Sequence, residues 1–87
     1  MEHVIAEREL AEPASFEKLE AALRANQACL VAHRVRHLRT YISLDGKRTI
    51  CEYEAPDAEA VRSASQRAGM PYERVWTARV FVSGEPK

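Results

Sequence analysis

Glu7, His37, Arg39, Glu52 and Glu54 are the side chains of this sequence whose types could act together chemically. Carboxylate oxygens and an imidazole nitrogen suit a divalent metal such as nickel, zinc or manganese. Glu7, His37 and Glu52 are the expected metal ligands. The same groups suit acid–base work, with Glu7 or Glu52 as general base if burial raises its pKa. In that case Arg39 stabilises negative charge developing on an enolate or phenolate. A structural reading stands beside both: Arg39 with Glu52, and His37 with Glu54, as cross-strand ion pairs at an interface rim.

All but Glu7 of these residues sit on one hairpin. The β-rich runs from Val35 to Leu44 and from Lys47 to Ala55 flank Asp45-Gly46, a pair that tolerates the positive φ values of a type I′ turn. A two-residue turn sets Leu44 opposite Lys47, Thr40 opposite Cys51, Arg39 opposite Glu52, Leu38 opposite Tyr53 and His37 opposite Glu54. Opposed residues share a face. One face then carries Leu38, Thr40, Ile42, Cys51 and Tyr53, which is core chemistry. The other carries His37, Arg39, Tyr41, Ile50, Glu52 and Glu54.

The rest of the 87-residue chain supplies one domain around that hairpin. His3 to Leu10 reads as a strand whose His3, Ile5, Glu7 and Glu9 face away from the helices. Ser15 caps a helix running to about His33, with Phe16, Leu19, Leu23 and Leu30 as its buried stripe and Asn26 interrupting it. Asp57 caps a second helix that Gly69 and Pro71 stop. Arg74 to Val82 is the last strand, with Trp76, Ala78, Val80 and Val82 under the helices, and Ser83 to Lys87 is a polar tail. The order β-α-β-β-α-β is the split-βαβ pattern of ferredoxin-like α+β folds. It implies a four-stranded antiparallel sheet with two helices on one face. Strands one and three are expected as the central, parallel neighbours, and the second and fourth as the outer ones.

The uncovered face is too apolar to stay fully wet and too charged for an ordinary core. A homodimer packed sheet against sheet is the expected solution, with Tyr41, Ile50 and Phe81 as ligand-binding walls of a cavity between subunits. Thirteen basic and thirteen acidic residues leave no net charge, which argues against a nucleic-acid partner. No apolar run reaches the ~20 residues of a membrane helix, so a cytoplasmic protein without a membrane partner is expected. Cys29 and Cys51 lack metal-type spacing and are expected as reduced, buried thiols. Cys51 in particular reads as a small core hydrophobe without a basic neighbour.

Several segments resemble a family of small bacterial proteins of unknown function that includes a nickel-binding protein. They are Ala6-Glu7-Arg8-Glu9, Arg39-Thr40-Tyr41-Ile42-Ser43, the run from Cys51 to Arg62 that contains Tyr53 and Ala55-Pro56-Asp57, and Arg67-Ala68-Gly69-Met70-Pro71. The resemblance implies a ferredoxin-like sandwich and a dimeric assembly, with nickel as the possible metal. Two positions depart from the family: Ala64 stands where many members carry a His, and His37 where a Trp is common. No ligand set is therefore carried over. The alternative to a metal-binding protein is a cofactor-free cyclase, isomerase or monooxygenase acting on a hydrophobic oxygenated molecule. A third option is a dimerisation module without chemistry.

Overall fold

A computed structural model describes residues 1–84; the end of the expected polar tail, Glu85 to Lys87, lies outside the described residues. The chain runs β1 (Glu2–Glu9), α1 (Phe16–Ala25), α2 (Gln27–Ala32), β2 (Arg36–Ile42), β3 (Arg48–Ala55), α3 (Ala58–Arg67) and β4 (Arg74–Ala78). The four strands form one sheet in the order β2-β3-β1-β4. β1 and β3 are central as expected, but they pair antiparallel, not parallel. Each βαβ crossover skips one strand, so the parallel partners are the ones left apart.

Each helix end has a local cause. The Ser15 side chain accepts the Lys18 N–H at 3.2 Å and that of Asp57 accepts the Ala60 N–H at 2.8 Å, satisfying donors that no intrahelical carbonyl reaches. The long first helix breaks in two at Asn26, whose side-chain amide turns back to donate to the Ala22 carbonyl at 2.9 Å. α3 closes with Gly69 at φ +70 and the Met70 N–H on the Ser65 carbonyl at 2.9 Å, the paired geometry glycine favours at a helix end. α2 closes the same way on Arg34 at φ +60, with the Val35 N–H on the Leu30 carbonyl at 2.8 Å.

The hairpin keeps its expected register from Arg39–Glu52 to Ile42–Thr49, but its tip differs. Only Gly46 of the Asp-Gly pair has positive φ, so the turn is not type I′. Ser43 N–H donates to the Arg48 carbonyl and Gly46 N–H to the Ser43 carbonyl, while Asp45 accepts from the Ser43 hydroxyl and the Lys47 N–H. These hydrogen bonds hold the Asp45 carboxyl below the usual carboxylate range. The tip is pinned to the loop before α1, where Ala14 N–H donates to the Gly46 carbonyl at 2.7 Å.

The core lies between the sheet and the helices, with Val4, Ala6, Ala55, Val61 and Ala64 fully buried. α3 packs close because its buried residues, Val61, Ala64 and Ser65, are small. α1 has no buried residue at all: Phe16 is 77% exposed, and Leu19 and Leu23 are only half-buried. β4 also departs from expectation. It ends at Ala78, and its pairing sets Trp76 opposite Ile5 and Ala78 opposite His3, on the open face, while Val75 is buried beneath the helices. On the open face the indole N–H finds an acceptor in Glu7 Oε2 at 2.8 Å.

Candidate functional site

The open face is built in rows across the strands. One row runs Arg39, Glu52, Ile5, Trp76, and the next runs Tyr41, Ile50, Glu7, Arg74. Glu52 is the best-connected carboxylate. Its Oε2 meets His3 Nε2 at 2.9 Å and its Oε1 lies 2.6 Å from Arg39 Nε. Burial pushes this carboxyl up, but His3, Arg39 and the Tyr41 hydroxyl together outweigh it and hold the pKa below the ordinary range. Glu7 accepts the Trp76 indole N–H at 2.8 Å and lies 4.0 Å from Arg74 Nε.

His37 is not on this face. A register shift between His37 and Arg39 sets Arg36 opposite Glu54 and His37 opposite Tyr53, because a bulge inserts one residue and reverses the faces beyond it. The expected His37–Glu54 pair is replaced by Arg36–Glu54 at 2.9 Å. Of the expected metal set, Glu7 and Glu52 share the open face and His37 lies on the opposite side of the sheet. His3 takes its place beside Glu52. Its strand parity, shared with Glu7, was the signal for it. Among the described residues no group of three or more His, Cys, Asp or Glu side chains converges within one copy. Of the expected ligand walls, Tyr41 and Ile50 stand on the open face with their side chains partly exposed. Phe81 lies beyond the end of β4 and is 68% exposed.

The inner face holds a second polar group that the alternation of strand residues concealed. His37 Nε2 lies 2.7 Å from Thr40 Oγ1, and that hydroxyl donates to Cys51 Sγ at 3.3 Å. A hydroxyl has one proton to give, so while Thr40 donates to Cys51 Sγ it accepts from His37 Nε2. The His37 ring also meets the Tyr53 ring edge to face at 5.5 Å. Arg8, which shares the inward strand parity of Val4 and Ala6, is buried and donates to Ser65 Oγ at 3.0 Å and to the Tyr53 hydroxyl at 3.4 Å. Burial pushes the Cys51 thiol up, but His37, Thr40, the Arg8 charge and Tyr53 bring it down to about 7. Burial dominates at Tyr53, whose hydroxyl is pushed up to about 12. The buried thiol therefore has the cationic neighbour that sequence reading did not find. Cys29 is only half-buried and both cysteines are free, while His33 caps α2 with its Nδ1 2.8 Å from the Cys29 carbonyl.

Comparison with known proteins adds a family and a fold. A family model described as nickel responsive protein SCO4226-like matches residues 5–77. The crystal structure of SCO4226 from Streptomyces coelicolor A3(2) superposes with a TM-score of 0.80 at 20% sequence identity. The match covers 92% of this chain and 99% of that one. A search of curated proteins found no match.

Proposed function

The chain belongs to the nickel responsive SCO4226-like family, and from that premise we propose that it is a small dimeric binding protein for a divalent metal. Nickel is the first candidate, taken up at the open sheet face. The observation that carries this reading is the His3–Glu52 pair, an imidazole and a carboxylate 2.9 Å apart on a half-buried surface. Both donors suit nickel or zinc. One copy offers too few of them, since the described residues of a single chain hold no cluster of three. Two copies related by a two-fold axis through the open face would bring two His3 and two Glu52 together. Binding would replace the contact within each pair, and Arg39 would retain its hold on Oε1 and keep the carboxylate oriented. The two free cysteines suit a cytoplasmic setting.

The test is calorimetric titration of metal-stripped protein with nickel, paired with light scattering. Micromolar uptake by a dimer is expected, abolished by His3→Ala and by Glu52→Ala and retained by His37→Ala. Absence of uptake, or loss on His37→Ala alone, would sink the reading. The enzymatic alternative draws on Tyr41 and Ile50 flanking Glu52 and Arg39. A Glu7 base would first have to give up its hydrogen bond from Trp76, so Glu7→Gln should leave any such activity largely intact.

A further inference from the structure

Beneath α1, on the side of the sheet away from His3 and Glu52, lies a cavity of about 180 Å³. Arg8, Cys51 and Tyr53 form its floor, and Leu19, Leu23 and Met70 contribute its walls. α1 leaves this space open because none of its residues is fully buried. The floor carries a cation with no complete set of partners. Arg8 is 7% exposed, its two terminal nitrogens are engaged by hydroxyls, and its Nε is buried without an acceptor. None of the ion pairs among the described residues includes it. A buried guanidinium facing only hydroxyls and a thiol is costly to maintain, and an anion entering the cavity would relieve that cost.

We infer that this cavity binds a small monocarboxylate with an apolar body, its carboxylate on Arg8 and its body against Leu19, Leu23 and Met70. The planar fork of arginine pairs bidentately with a carboxylate, whereas a phosphate ester, which the fork also fits, would bring a second negative charge that one guanidinium leaves unpaired. Cavities of about 150 Å³ accept a benzene-sized molecule, so the ligand has about six to nine non-hydrogen atoms. Sulfate and phosphate lack the body that the leucine and methionine walls require. A dicarboxylate would strand its second charge among apolar side chains. Binding is reversible and forms no bond to Cys51. A carboxylate on Arg8 also covers Cys51, which lines the same cavity.

Benzoate is the probe and benzamide its neutral isostere, each titrated calorimetrically into the metal-free protein at matched ionic strength. The expected result is saturable benzoate binding that raises the melting temperature and slows iodoacetamide alkylation of Cys51. Benzamide should bind at least about tenfold more weakly, as loss of a charge-assisted contact predicts. Leu19→Trp, which occupies the cavity from its wall and leaves the arginine unsubstituted, should abolish binding while leaving circular dichroism unchanged. Arg8→Lys should weaken binding by about tenfold or more, and if that variant fails to fold, Leu19→Trp still decides. Equal binding of benzamide, no effect of benzoate beyond that of chloride, or full binding by Leu19→Trp would each overturn the inference. None of these results depends on nickel at the open face.

Discussion

At the scale of single residues the sheet separates two chemistries that the sequence mixes. Cys51 and Glu52 are neighbours in the chain, yet each is tuned by its own set of groups on its own face. Cys51 ionises at about 7 where the ordinary thiol value is 9.0. A folded-state pKa below the unfolded one means that the anion is what folding favours. The stability it contributes is fully present above about 9 and is lost as pH falls through about 7. The free energy of unfolding, measured with urea, should therefore rise by about 1–3 kcal/mol between those limits relative to Cys51→Ala. His37→Phe should move the thiolate absorbance titration back toward 9. Tyr53 acts in the opposite sense: its raised pKa favours the neutral phenol, and stability from that source falls as pH climbs from 10 toward about 12. Glu52 is a depressed carboxyl, so its contribution is present above the ordinary glutamate range and disappears as acid protonates it. Urea midpoints taken from about pH 6 to 3 should fall more steeply for the wild type than for Glu52→Gln.

At the scale of elements two backbone positions make opposite predictions. Arg34 ends α2 at φ +60, a conformation that disfavours any residue with a Cβ. Arg34→Gly should stabilise the protein by about 0.5–1 kcal/mol, read as a shift in the urea midpoint at constant slope. Gly46 has φ +75, and a Cβ there would stand 3.0 Å from both the Ala14 carbonyl oxygen and the Pro13 Cβ. Gly46→Ala should cost about 1–3 kcal/mol, because strain and overlap add. The hairpin at Asp45-Gly46 (though not its turn type), the Ser15 and Asp57 caps and the alternation of β3 were legible because each acts within a few residues. The bulge beside Leu38 was not: nothing local distinguishes a β2 with one extra residue, and that residue carries His37 to the other face. The faces of β4 differ from the hydropathy pattern for a related reason. Hydropathy favours burying Trp76, but its pairing with β1 and the need of the indole N–H for Glu7 decide otherwise. Arg8 was hidden by its charge, since arginine is rarely expected inside a small core.

At the scale of the whole molecule, a sheet with helices on one side only must still account for the other. Strands of 8, 7, 8 and 5 residues, at ~3.3 Å per residue and ~4.8 Å apart, give a flat face of roughly 440 Å². Side-chain relief brings its accessible area closer to the ~800 Å² per partner of a standard interface. The pairing of two such faces is therefore of modest strength unless something adds to it. Tyr41, Ile50 and Trp76 contribute apolar area at 55%, 41% and 45% exposure, and a metal shared by His3 and Glu52 of both copies would contribute more. Linkage makes this testable in both directions: if nickel binds the dimer better than the monomer, nickel must tighten the dimer by the same factor. Sedimentation of the metal-free protein over a concentration series should give a dimer whose dissociation constant drops at least about tenfold on adding nickel. Ile50→Glu sets two like charges into the interface without touching either proposed donor, and it should yield a folded monomer that has lost most of its nickel affinity. His3→Ala should still dimerise and ignore nickel. Should Ile50→Glu remain dimeric, the copies meet through another surface, and a metal site shared across the open face is ruled out whatever the calorimetry of the wild type shows.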